Sequence, residues 1–243
     1  MTTLVRIAIA FIVAVFLSSC GFDINIGDFG TGKPGNGHVV KESRKVTADF
    51  TEVSASEGLA VYVSPGDLYK IEVEGDENII DLIATDIKDG KLRIHAEENI
   101  GRATKNVYVS LPKITALKAS SGSHLKTTAP IEGNALEIDG SSGALLHVDV
   151  TSQALEVDAS SGANLTISGQ ADHVDVDVSS GGNVNAKGLQ AKTCNADASS
   201  GGNVQIRVSE SLTADATSGG NISYSGDPNV STKKSVSGSV HQY

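Results

Sequence analysis

Apolar and polar positions alternate along most of this chain with a period of two. Between Ala154 and Ser168, Leu155, Val157 and Ala159 alternate with polar residues, and Leu165 and Ile167 do the same. The next segment offers Val174, Val176 and Val178, then Val184; the one after offers Cys194, Ala196 and Ala198, then Val204 and Ile206. Successive side chains of a strand point to opposite sides, so each set shares one face. A small tripeptide separates the two sets of every segment: Ser120-Ser121-Gly122, Ser141-Ser142-Gly143, Ser160-Ser161-Gly162, Ser179-Ser180-Gly181 and Ser199-Ser200-Gly201. Thr217-Ser218-Gly219 and Val236-Ser237-Gly238 continue the series, with steps of 21, 19, 19, 20, 18 and 19 residues.

A period of this size with strand patterning predicts a solenoid. Each unit supplies two short strands around a glycine corner and a looser third side. Stacked coils pair strand on strand and bury a narrow aliphatic column. The fold predicted for 119–243 is all-β: a right-handed, single-stranded parallel β-helix with repeats of about 19 residues, its hand set by the crossover rule for parallel strands. Seven coils at ~4.8 Å make a column of roughly 30 Å. Gly122, Gly143, Gly162, Gly181, Gly201 and Gly219 are the structural corners, since glycine tolerates the positive φ of a tight bend. Asn164, Asn183, Asn203 and Asn221 each follow a corner glycine by two residues and are placed to stack as an amide ladder.

Residues 38–118 read as an N-terminal β-rich part of the same domain. Strands are predicted at Leu59–Val63, Ile71–Val73, Leu92–Ile94 and Val107–Val109, separated by turns at Pro65-Gly66-Asp67, Gly75-Asp76 and Asp89-Gly90. Between Asn78 and Ile87 the apolar residues fall at 79, 80, 83 and 87, a spacing that predicts a short helix.

Ahead of these lies an unbroken apolar run, Ile7 to Leu17. It is too short for a bilayer, which needs ~20 residues, and suits the core of a signal peptide. It ends in Leu17-Ser18-Ser19-Cys20, the pattern of a lipobox: small residues fit the signal peptidase, and the Cys20 thiol takes a diacylglyceryl group. We expect 1–19 to be the signal peptide and 20–37 to be the lipidated cysteine with a flexible Gly-rich tether. Two or more acyl chains give stable anchoring. Gly21, in place of an Asp, points to the outer membrane and leaves the leaflet open. Gly27, Gly32 and Lys33 mimic the start of a phosphate-binding loop, but Pro34 occupies the Ser/Thr position and no strand precedes it.

Charge and composition narrow the partners. From Cys20 onward the chain carries 18 basic and 29 acidic residues, a formal charge of −11, which disfavours nucleic acid. Cys194 is the only cysteine besides Cys20, so no internal disulfide forms in the mature chain. It aligns with Leu155 and Val174 and is read as a buried small hydrophobe.

Carboxylates are the main candidate chemistry. Asp139, Asp158, Asp177, Asp197 and Asp215 each precede a corner by two residues and form one outward column; Glu137, Glu156 and Asp175 begin a second. Carboxylates ~4.8 Å apart repel by roughly 0.9 kcal/mol even in water. Solvent, raised pKa values, corner hydroxyls or cations must relieve that. The Asp column is therefore the candidate cation ladder, calcium being an oxygen-seeking ion, although the calcium-solenoid motif GGxGxD is absent. A glycosidase needs two carboxylates in distinct environments, and the repeats carry no aromatic row to stack sugars. The histidines His38, His95, His124, His147, His173 and His241 show neither HExxH spacing nor a zinc pattern with Cys194. No catalytic residue and no cofactor are assigned.

Particular segments carry a family resemblance: Gly58-Leu59-Ala60-Val61-Tyr62-Val63, Val73-Glu74-Gly75-Asp76-Glu77-Asn78, Asp89-Gly90-Lys91-Leu92-Arg93-Ile94, Val109-Ser110-Leu111-Pro112 and the SSG repeats. Over about residues 45–240 the chain resembles the head GIN domain family of auto-transporter adhesins, surface lipoproteins of Bacteroidetes-like bacteria. The resemblance implies a β-helical domain and brings no functional residues with it. The expected function is a non-enzymatic envelope or cell-surface lipoprotein presenting a rigid binding face, an adhesin being one form of it. Its partners would be the membrane, through the N-terminal lipid, and an unidentified protein or glycan. The alternatives are a β-helical glycan lyase or hydrolase, and a structural or regulatory periplasmic lipoprotein.

Overall fold

The computed structural model describes residues 32–232 and 237–243; Cys20, Gly27 and the signal segment lie outside the described residues. Among the described residues seventeen strands join in one hydrogen-bonded sheet. They are β1 (Val39–Arg44), β2 (Glu52–Ala55), β3 (Ala60–Pro65), β4 (Lys70–Asp76), β5 (Ile83–Lys88), β6 (Lys91–Ala96), β7 (Lys105–Leu111), β8 (Ala116–Ala119) and β9 (His124–Thr127). The long strands follow: β10 (Ile131–Gly140), β11 (Leu145–Ala159), β12 (Asn164–Val178), β13 (Asn183–Ala198) and β14 (Asn203–Ala216). The last are β15 (Asn221–Ser225), β16 (Asn229–Thr232) and β17 (Ser239–Gln242). Buried and exposed positions alternate along nearly all of them, as the period-two pattern requires.

The β-solenoid read from the repeats is the fold observed, with about six turns. Among the described residues beyond β15 the strands are the four-residue β16 and β17, so the last of the seven coils expected from the tripeptides is short. The side expected to be loose is strand as well. β11, β12 and β13 each run 15 or 16 residues, from just after one corner to just before the next. Of the in-register columns of side chains that fill the interior, two show the packing. Leu117, Ile138, Val157, Val176, Ala196 and Ala214 form one, and Leu125, Leu146, Leu165, Val184, Val204 and Ile222 the other. All twelve are buried, and each fully buried Leu, Ile or Val side chain contributes about 1.5–3 kcal/mol.

The N-terminal part continues this stack in a folded-back order. β2 and β3 lie parallel to β8 and β9, while β6 and β7, later in sequence, lie parallel on the far side of β2 and β3. Antiparallel strands then close that end: β5 pairs with β6, β4 with β7, and β1 with β4. Covering an open parallel edge in this way removes a template for aggregation.

That capping role accounts for the helix expected over Asn78 to Ile87. Only Ile80–Leu82 forms a single 3-10 turn, Asn78 and Ile79 lie in the turn before it, and Ile83 onward is β5, paired from Ile83 opposite Ala96 to Lys88 opposite Lys91. The exposed backbone of β6 needs a partner more than the apolar spacing needs a helix. The domain also begins ahead of His38. Lys33 N–H donates to Asn99 O at 2.8 Å, Gly35 N–H to Arg102 O at 3.0 Å, and Asn78 Nδ2 to Pro34 O at 2.9 Å. The last residues of the Gly-rich stretch are thus held against the capped end.

Candidate binding faces of the solenoid

Each of the six corners from Ser120 to Gly219 is a two-residue turn in which both central residues have positive φ. The second serine (Ser121, Ser142, Ser161, Ser180, Ser200, Ser218) sits at 49° to 51°, and the following glycine at 69° to 79°. That pair of values is the mark of a type I′ turn, closed here by bonds such as Ser123 N–H to Ser120 O at 3.0 Å. The serines share the positive φ expected of the glycines. Stacking helps hold the serines there: Gly122 N–H donates to Ser142 O at 3.0 Å and Gly143 N–H to Ser161 O at 3.0 Å, in the coil above.

Two residues on, the Asn positions lie in register across β12 to β15. Asn203 Nδ2 donates to Asn183 Oδ1 at 2.6 Å and Asn221 Nδ2 to Asn203 Oδ1 at 2.8 Å. Asn164 is aligned with them but turns its amide to Gly162 O, 3.1 Å away.

The carboxylates before the corners form a face of their own. Asp139, Asp158, Asp177, Asp197 and Asp215 stand opposite one another, one per coil, and Lys118 occupies the rung before Asp139. In the neighbouring column Glu137, Glu156 and Asp175 lead to Asn195, whose Nδ2 donates to Asp175 Oδ1 at 2.8 Å. Lys118 forms an ion pair with Glu137. In mid-column, partial burial pushes the Asp158 carboxyl above its ordinary range, helped by Glu156, Asp139, Asp177 and Glu137. The rungs lie in a line. Among the described residues no group of three or more His, Cys, Asp or Glu gathers around a common point as a metal ion needs.

Cys194 packs between Val174 and Leu212 with 3% of its surface exposed. Burial, then the Asp175 charge, pushes its thiol pKa up to about 12. A thiol so placed is a core residue and no nucleophile.

Two features escaped the sequence. Tyr62 on β3 and Tyr108 on β7 are in register and stack with ring centroids 5.1 Å apart. Tyr108 Oη donates to Glu74 Oε2 at 2.9 Å, and Lys41 Nζ lies 5.3 Å from the Tyr108 ring centre. The alternation marks both tyrosines as outward, but only the folded-back strand order makes them neighbours. The second feature is a groove of about 730 Å³ along the third side of the coils. One wall is the in-register row Glu132, Thr151, Gln170, Gln190 and Arg207. The other is lined by Asn134, Gln153, Asp172 and Lys192, with Lys192 Nζ 2.6 Å from Asp172 Oδ1. Its floor is the small column Gly133, Ser152, Ala171 and Ala191.

Residues 49–228 match the model of the family described as "Putative auto-transporter adhesin, head GIN domain". The chain belongs to that family. Solved structures share the fold of this head GIN domain. A putative adhesin from Bacteroides fragilis is 18% identical, with a TM-score of 0.79, over 87% of this chain and 100% of that one. A putative adhesin from Parabacteroides distasonis is 20% identical, with a TM-score of 0.70, over 87% and 99%. A protein from the same organism described as a putative lipid binding protein is 19% identical, with a TM-score of 0.69, over 86% and 98%. No curated protein matches this head GIN domain.

Proposed function

We propose that this head GIN domain is a non-enzymatic, lipid-anchored protein of the bacterial cell surface whose solenoid presents rigid binding faces for adhesion. The observation that carries the reading is the in-register stacking of outward side chains. On each face the same position recurs from coil to coil on one continuous sheet, as in the row Thr151, Gln170, Gln190. Such a surface is ordered before any ligand arrives, so little side-chain and loop entropy remains to be lost on binding. The adhesin names of the similar proteins from B. fragilis and P. distasonis agree with this role. The lipobox ending at Cys20 supplies the anchor, and the domain is entered at its capped end, beside Asn99 and Arg102.

Two measurements test the reading together. In intact cells, added protease should digest the protein, and a strain lacking it should adhere less to host or glycan-coated surfaces. A protein that stays intact until the outer membrane is broken faces inward and rules out adhesion.

A further inference from the structure

We infer that the groove along the third side of the coils binds a linear, uncharged polysaccharide lying parallel to the solenoid axis. This assignment names the ligand class of the binding surface proposed above and rests on that reading for its biological setting.

The chain as a whole carries −10. Yet the groove's charged lining residues cancel: Glu132 and Asp172 against Lys192 and Arg207. Asp172 and Lys192 are moreover spent on each other at 2.6 Å. An anionic polymer would find no net attraction there, and a cationic one would favour the carboxylate face before the corners.

Gln170 and Gln190 stand side by side in the middle of one wall, exposed to solvent. A carboxamide offers two donors and an acceptor from one side chain. Rows of amides and hydroxyls with both capacities match a ligand that is itself all hydroxyls. A peptide fits less well. The backbone groups of β11, β12 and β13 are already paired along the sheet, so the groove offers no edge for an added strand. The floor of glycine, serine and alanine has no apolar pocket for a side chain.

From Glu132 to Arg207 the wall spans four strand steps, or ~19 Å at ~4.8 Å per step. That step is close to the rise of an extended pyranose chain, so successive coils meet successive sugars. With no aromatic ring in the groove, single contacts are weak and affinity grows with the number of sugars engaged.

The test is binding of the full chain, in detergent, to neutral oligomers of the cello-, laminari-, manno- and N-acetylglucosamine series, measured by calorimetry or saturation-transfer NMR. Oligogalacturonates serve as the charged comparison. The expected result is that at least one neutral series binds with Kd of about 0.1–1 mM. Its affinity should rise with length and level off at about four or five sugars, the span of the wall. Q170A combined with Q190A should weaken that binding by about tenfold or more with an unchanged melting temperature, while D197N on the carboxylate face leaves it unaltered. The assignment is overturned if no neutral series binds at ~10 mM, if the double glutamine variant binds as well as wild type, or if oligogalacturonates bind more tightly. Protease shaving separates the two readings. A shielded protein that still binds neutral glycans refutes surface adhesion alone; an exposed adhesive protein indifferent to the glutamine variants refutes the groove alone.

Discussion

Asn203 stands between two other amides: its Nδ2 donates to Asn183 Oδ1 at 2.6 Å, and its own Oδ1 accepts from Asn221 Nδ2 at 2.8 Å. All three are half-buried, so water replaces these bonds only in part. Removing the middle member breaks two bonds and leaves a donor and an acceptor poorly served. N203A should therefore cost about 1–2 kcal/mol, a fall in melting temperature of roughly 2–8 °C for a chain of this size. Asn164, exposed and with its side-chain amide bonded to Gly162 O alone, provides the comparison. N164A should cost less than half as much, and equal losses for the two variants would show that the ladder adds nothing.

The Asp158 carboxyl makes stability depend on pH in the direction opposite to an ion-paired acid. Its pKa is higher in the folded chain than in the unfolded one, through burial first and then the charges of Glu156, Asp139, Asp177 and Glu137. Between the ordinary carboxylate range and the raised value, the folded state binds more protons, so this group's contribution falls as pH rises through that window. D158N abolishes the term. The variant should melt higher than wild type near pH 7, and the gap should close as pH is lowered to about 3, below the ordinary carboxylate range. Glu74 titrates with the opposite sign, its carboxylate favoured by hydrogen bonds from Asn106 and Tyr108 and by Lys41. The difference between variant and wild type removes that background. A gap that stays constant with pH would mean that Asp158 is not perturbed by its column.

Repetition decides how much of this could be read from the sequence. The coils from Ser120 onward announce themselves because the same residue types recur at a near-constant step. The first type I′ corner of the stack does not, because it is Ser56-Glu57-Gly58-Leu59, with Glu57 at φ 60° and Gly58 at φ 68°. Gly58 N–H still donates to Ser121 O at 3.0 Å, as a corner glycine should. Nothing local marks Glu57 as equivalent to a corner serine. The next corner lies beyond the inserted strands β4 to β7, which hides the period. The groove was illegible for a related reason. Thr151, Gln170, Gln190 and Arg207 occupy one register position with three different residue types, and a repeat search sees only identity. The cap over β6 depends on a tertiary partner that a helical spacing in Ile79, Ile80 and Ile83 cannot reveal.

Thiol chemistry should report both the fold and the anchor. Cys194 is sealed between coils and its pKa is pushed up to about 12, so the native chain should show no reaction at this residue with a disulfide reagent near neutral pH. Reaction should begin only as the solenoid opens, with the same denaturant midpoint as the loss of β-sheet circular dichroism. After full denaturation the count separates two states of Cys20. One reactive thiol per chain means that Cys20 carries a thioether-linked lipid, and two mean that it is free. Fast labelling of Cys194 in the native chain would contradict the packed column.

Ser152 gives the final test, because its neighbours already show the better solution. It occupies an inward rung of the column that continues as Ala171 and Ala191. It is buried, and its Oγ has no hydrogen-bond partner. A buried hydroxyl without a partner costs about 1–3 kcal/mol, and alanine fits the same rung in the next two coils. S152A should therefore stabilise the domain by about 1 kcal/mol, raising the melting temperature by roughly 2–4 °C. Ser123 supplies the opposite case. It is equally a buried serine, but its Oγ donates to Ala55 O at 3.0 Å and accepts from Ser120 N–H at 3.2 Å. S123A should destabilise the domain by about 1–2 kcal/mol. The same chemical change thus carries opposite signs at two positions, and the sign is set by whether the hydroxyl has a partner. A destabilising S152A would show that a trapped water serves Ser152 Oγ, since an ordered water can satisfy a buried hydroxyl.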